Sequence, residues 1–375
     1  MSCLPEGIAA SLESFAAEVA SAASTTDSAG TFPVAIAKSF LASGLGGLIS
    51  ASELGGAGLG VRAASAVVER VGRECGSTAM ILAMHYSGAT VIEAFGSDEA
   101  RRRIATGAAL TTLAFSEYGT RSHFWAPLSS ARRDGDEVVL DAKKAWVTSA
   151  SNADLYVWSS QATSCEGNSI WLVERDTPGI APSAPFDGMG LRGNDSAPVA
   201  AQGARIPAAS LLGEDGKGAD IMLGTVLPVF SVLNASAATG LMGGAVARTI
   251  AHVSGTGFDH LGHQLSGFPT IRAYLARMQL KTDMVRALLG DTITSLENPS
   301  ETTMLKVLEV KAAGGETATE VMDLAMRVCG GQAFRKEVGV ERFFRDARAN
   351  TVMAPTTDQL YDFIGRALTG IDLFA

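Results

Sequence analysis

The sequence predicts an α+β fold in three successive regions: an N-terminal helical domain (residues 1–108), a central β domain (109–212) and a C-terminal four-helix bundle (213–375). Three observations carry this. Apolar residues recur at i, i+3 and i+4 towards both ends of the chain. Between them lie short runs rich in Val, Leu, Ile, Trp and Thr, each bounded by Gly, Asp, Asn or Pro. Hydrophobic residues make up 47% of the chain and charged ones 18%, which suits a heavily buried protein and excludes a disordered one.

In the first region IAASLESFAAEVASAAS, VRAASAVVERVGREC and TAMILAMHYSGATVIEAFG read as helices, separated by joints such as GLGGLISASELGGAGLG. The strands of the second are LTTLAFSE, DEVVLDAKKAWVTSA, ADLYVWSS, NSIWLVERD and PVAAQGARIP. After LLGEDGKGAD the helical period returns in three long runs whose apolarity, with many Gly and Ala, predicts helices buried on more than one face. A small-molecule site is expected where the regions meet.

The net charge of −9, with no dense Lys/Arg cluster, excludes nucleic acid or an anionic membrane as the main partner. Glu6, Glu13 and Glu18 interrupt the N-terminal apolar run, unlike a signal peptide. No stretch offers the roughly 20 uninterrupted apolar residues of a membrane span, and a cytoplasmic location is expected. Cys3, Cys75, Cys165 and Cys329 are far apart and read as buried free thiols, with no metal site.

Five strings, in order, resemble the acyl-CoA dehydrogenase family over nearly the whole chain. They are SELGGAGLGVRAASAVVERVGREC, FSEYGTRSHF, KKAWVTSASNAD, GMGLRGNDSAPVAAQGARIPAASLLGEDGKG and RVCGGQAFRKEVGVERFFRDAR. The resemblance implies an acyl-CoA dehydrogenase-like fold holding FAD between the β domain and the bundle, in a dimer or tetramer of identical chains. It implies an oxidoreductase acting on an acyl thioester, on CoA or an acyl carrier protein: a base takes the α-proton while the flavin takes a hydride from the β-carbon.

Carried over position by position, the resemblance gives Trp146 and Thr148 to the flavin, the indole covering one ring face and the hydroxyl or backbone bonding the ring edge. Trp146 is otherwise a plain strand residue. Leu113, Phe115 and Ser116 fall on the strand that lines the flavin through its backbone. Ser122 keeps the serine of a Gly-Ser-Asp loop, and Arg121 either binds phosphate as a planar fork or is a solvated loop arginine. On the phosphate side Arg327 replaces a Gln, Phe258 an Arg, and Leu261-Gly262 a Phe-Gly pair. Gly330 and Gly331 remain, either for close approach to the ligand or as a helix cap. Thr356 and Asp358 match the end of the flavin-binding segment.

The catalytic position departs from the pattern. Ala354 stands where the family has its Glu, and Ala cannot abstract a proton. His252, on the first helix of the bundle, is the candidate for a relocated base, since imidazole works as a base near neutral pH. The other reading is a helix histidine with no role. His85 either borders the site or belongs to the core. Arg345, Asp346 and Arg348 read as an ion-pair network. Two further chemistries stay open on this scaffold: a flavin monooxygenase, which needs no α-proton base, and a redox-neutral or non-catalytic acyl-binding member.

Overall fold

The computed structural model describes residues 4–120, 123–260 and 262–373. Two compact units emerge: residues 1–67, 80–188 and 192–230 form the first, and residues 68–79, 189–191 and 231–375 the second.

Helices α1 (Glu6–Ala29), α2 (Val34–Ala42), α3 (Gly60–Gly72), α4 (Gly76–Phe95) and α5 (Asp98–Ala105) open the chain. Their ends follow local chemistry. Gly30, at φ 62°, closes α1 by giving its N–H to Thr26 O, a left-handed turn that favours Gly. Ser97 caps α5 by accepting from Ala100 N, with Asp98 and Glu99 in the first turn and Arg102 and Arg103 in the last. Within the first unit α1 buries Leu12, Phe15 and Val19, and the Phe15 ring lies 5.9 Å from that of Phe40 on α2.

The β strands form two four-stranded sheets, both in the first unit. They are β1 (Thr111–Ala114), β2 (Ser130–Asp134), β3 (Glu137–Val147), β4 (Leu155–Gln161), β5 (Asn168–Glu174), β6 (Ile180–Pro182), β7 (Ala197–Pro207) and β8 (Leu211–Leu212). One sheet runs β1-β4-β5-β8, parallel between β1 and β4 and antiparallel beyond; the other runs β2-β3-β7-β6, antiparallel throughout. Both sheets feed one core, with Tyr156, Trp158 and Trp171 from the first meeting Val138, Leu140 and Val199 from the second.

The rest is helical: α6 (Gly218–Ile221), α7 (Leu227–Gly255), α8 (Pro269–Glu297), α9 (Thr303–Cys329), α10 (Val340–Ala347), α11 (Ala349–Val352) and α12 (Thr357–Thr369), with a small hairpin of β9 (Gly257–Phe258) and β10 (His263–Gln264). A π turn, Met222–Val226, sits just ahead of Pro228, which has no N–H for an i−4 carbonyl. Leu241 and Met242 of α7, Met278 and Val285 of α8, Val321 and Met322 of α9 and Phe343 of α10 share the core of the second unit.

Two expectations need correction. Residues Gly218–Gly255 form a continuous helix long and apolar enough to cross a membrane by composition, but 72% of its most apolar window is buried in protein, as in a central bundle helix. Cys75 and Cys329 are buried free thiols, whereas Cys165 is exposed because it falls between β4 and β5; Cys3 lies outside the described residues.

Candidate active site

In the first unit the site is built on one sheet edge. Among the described strands β1 pairs only with β4, leaving its other edge open. Thr111 turns its N–H away from β4, onto His85 Nδ1 at 3.2 Å. The two-residue period of a strand turns the backbone of Leu113 and Phe115 the same way. Their side chains are buried, and the Phe115 ring stacks parallel to Phe124 at 6.5 Å, so the backbone is what this edge can offer a ligand.

The chain leaving β1 pairs with the end of β3. Ala145 N donates to Ser116 O at 2.8 Å and Tyr118 N to Lys143 O at 3.3 Å. Lys144 and Glu117 lock this pairing from inside. The Lys144 ammonium, fully buried, lies 2.5 Å from Glu117 Oε1, 2.6 Å from Ser159 O and 3.0 Å from Ser159 Oγ. Glu117 also accepts from Leu128 N, Ser129 N and Ser129 Oγ. Burial pushes the Lys144 ammonium down to about 8, although Glu117 beside it favours the charged form.

Next to that lock the register of β3 slips between Lys144 and Val147, and Trp146 takes φ 57°, a left-handed conformation that is rare for a bulky residue. Its indole is 64% exposed, so no core packing accounts for it. The ring rests on Phe186, centroids 4.1 Å apart. Thr148 is buried just beyond. Strained backbone of this kind persists where surrounding structure enforces it. An exposed indole beside an edge of outward-facing backbone groups fits a flat heteroaromatic ring with hydrogen-bonding edges, as an isoalloxazine has. Arg121 and Ser122 lie outside the described residues.

In the second unit Gly330 ends α9 at φ 58° with its N–H on Met326 O, so it does act as a cap, while open space surrounds both it and Gly331. Arg327 is exposed, 3.8 Å from Asp323 and 5.8 Å from the Tyr274 ring centroid. Thr356 caps α12 by accepting from Gln359 N at 3.3 Å, and Asp358 is exposed in the first turn.

Ala354 sits between α11 and α12, half-buried. The segment around it is held by polar groups that the sequence reading did not single out. Lys311 of α9, fully buried, donates to Met353 O at 3.0 Å and Pro355 O at 2.7 Å. Burial pushes its ammonium down to about 7. Asn234 of α7 donates to Met353 Sδ at 3.5 Å. Ser231 Oγ, Asn234 Oδ1, Asn350 Oδ1 and Thr357 Oγ1 are buried without a hydrogen-bond partner among the described residues. The signal for Lys311 was its place in VLEVKAAGGE, a cation in register with Val307, Leu308 and Gly315 on a buried face.

The structure does not bring His252 to this place. It is half-buried near the end of α7 with its Nε2 enclosed and without a hydrogen-bond partner among the described residues. Asn234, which reaches Met353, is eighteen residues earlier on the same helix, about 27 Å at 1.5 Å per residue. His252 is therefore corrected as the stand-in for a base at position 354. His85 is a core strut: Nε2–H donates to Gly46 O at 3.0 Å while Nδ1 takes the Thr111 N–H. Burial pulls it down to about 4. Arg345 pairs with Glu341 at 2.6 Å, and Asp346 accepts from Leu191 N at 2.6 Å.

Sequence profiles of the acyl-CoA dehydrogenase N-terminal, middle and C-terminal domains match residues 6–110, 112–203 and 216–369. A probable acyl-CoA dehydrogenase of Bacillus subtilis, YngJ, is 30% identical over 350 residues, covering 91% of each chain. Butyryl-CoA dehydrogenase from Megasphaera elsdenii superposes with a TM-score of 0.91 at 22% identity, covering 98% of this chain and 99% of the other. The prolyl acyl carrier protein oxidase AnaB does so with a TM-score of 0.85 at 21% identity, covering 95% and 98%.

Proposed function

Because the chain belongs to the acyl-CoA dehydrogenase family, we propose that it oxidises an acyl thioester, on coenzyme A or on a carrier protein, without a carboxylate at the usual position. It is a flavin-dependent oxidoreductase and its cofactor is FAD. When bound, FAD supplies a two-electron acceptor for a hydride. We assign the exposed Trp146 indole to one face of its ring and the outward backbone of Leu113 and Phe115, with Ser116 and Thr148, to its edge. Arg327, Gly330, Gly331, Thr356 and Asp358 are assigned to the rest of the cofactor. The relatives and neighbours named above, a CoA enzyme and a carrier-protein enzyme among them, support the substrate class. We also assign a cytoplasmic homo-oligomer, supported by exposed Leu280 and Met284 on α8 and Phe334 after α9.

The observation that carries the reading is Ala354. A general base contributes about 10²–10⁴ in rate, so a chain without one oxidises an unactivated acyl thioester slowly. The test is anaerobic mixing of the flavin-loaded protein with acyl-CoA and with acyl carrier protein, following the oxidised-flavin bands. Slow bleaching by one of them is expected, and Ala354→Glu should speed it by roughly 10²–10⁴. No bleaching by either, with or without the Glu, rejects the reading. The missing carboxylate also fits a flavin monooxygenase on the same fold, for which substrate turnover would require oxygen and an external reductase.

A further inference from the structure

We propose that Lys311 is a positioning residue of this site: clamped between the carbonyls of Met353 and Pro355, it fixes the backbone on both sides of residue 354 and so sets where a side chain there points. This rests on the reading that the segment 353–357 borders the acyl thioester. The geometry is that of a seat. Helix α11 ends at Val352 and α12 starts at Thr357, so the carbonyls of Met353 and Pro355, in the gap between the two helices, need other donors. Lys311 donates to two of them, one on each side of Ala354.

The facing helix is shaped for the same purpose. Gly315 is one turn beyond Lys311 on α9, and a Cβ there would come 3.3 Å from Asn350 O, Thr351 Cγ2 and Thr357 Oγ1. So α9 presents a cation and, a turn later, bare backbone to the same segment. From α7, Asn234 adds its contact to Met353. An apolar side chain of similar length would fill the place of Lys311 without the desolvation an ammonium incurs at zero exposure. What an apolar side chain cannot do is hold two carbonyls at once. The seat is thus built around a position whose side chain is a methyl group.

The test uses the flavin-loaded full chain in the Ala354→Glu background, where a side chain at 354 has a measurable task. Adding Lys311→Met should lower the limiting rate of anaerobic flavin bleaching by acyl-CoA about a hundredfold, the scale of an ångström of misplacement, with the half-saturating concentration unchanged. Lys311→Arg, which keeps a cationic donor, should restore most of that rate. Hydrogen–deuterium exchange on Lys311→Met alone should speed up in peptides covering residues 349–360 and not in those of α8. An unchanged limiting rate with unchanged exchange, or a change confined to the half-saturating concentration, overturns the proposal. If no acyl thioester bleaches the Ala354→Glu protein, the substrate reading fails, while the exchange experiment still decides the role of Lys311. Should Lys311→Met not fold, Lys311→Gln, a shorter side chain whose amide cannot span both carbonyls, replaces it, with the same direction of change expected in rate and exchange.

Discussion

Two fully buried lysines, Lys144 in the β region and Lys311 in the bundle, have opposite surroundings. Lys144 faces a carboxylate, and the ring of Glu117, Ser129 and Ser159 closes around the pair. The hydrogen bonds described for Lys311 go to two backbone carbonyls, and nearby Asn234, Asn350 and Thr357 each keep a buried atom without a partner among the described residues. A closed set of this kind fastens two chain segments. The open set keeps a segment in place while leaving polar capacity uncommitted, which is the expense of a site rather than of a core.

Changes on the closed side should have the largest effect. Glu117→Ala leaves the Lys144 ammonium buried without its counter-charge and should cost about 3–5 kcal/mol in urea unfolding; a loss under about 1 kcal/mol would put Lys144 in the same class as Lys311. The next test uses pH. His85, down to about 4 in the fold against about 6.5 unfolded, is held neutral, so the unfolded chain binds more protons between these values. Stability is therefore full above about pH 6.5 and falls by up to about 3 kcal/mol as the pH drops to about 4. His85→Gln should flatten that part of the curve. Neither lysine titrates there, at about 8 and about 7.

Smaller effects separate site from scaffold. Trp146→Ala should weaken FAD binding about tenfold by flavin titration while leaving the stability of the flavin-free chain within about 0.5 kcal/mol. A large drop in stability instead would return Trp146 to the core. Smallest of all, His252→Ala should leave the rate of anaerobic flavin bleaching as it was; abolished bleaching with flavin still bound would restore His252 as the base.

The helical and strand periods made the α+β class legible, because burial of Val138, Leu140, Val321 and Met322 follows them directly. Pairings between distant residues were another matter. Glu117 and Lys144 are far apart in sequence and meet only through the antiparallel bridge between them, which no local pattern encodes. His252 was misjudged for a related reason: periodicity identifies α7 as a helix but does not say which of its turns lies at Met353. Lys311 stood in view within an apolar helix face, yet its task depends on carbonyls more than forty residues away. Trp146 was matched by the string around it, but its exposure and left-handed backbone come from a register slip that a strand propensity cannot show.

That exposure also makes the chain its own optical gauge. Of its four tryptophans, Trp158 and Trp171 are sealed in the core between the sheets while Trp146 stands in solvent. Excited together, the sealed indoles emit toward the blue and Trp146 toward the red, and a water-borne quencher such as iodide reaches the red component first. In a Trp125→Phe background, which removes the half-buried indole, the ratio of the two colours reports what covers the end of β3 without any label being attached.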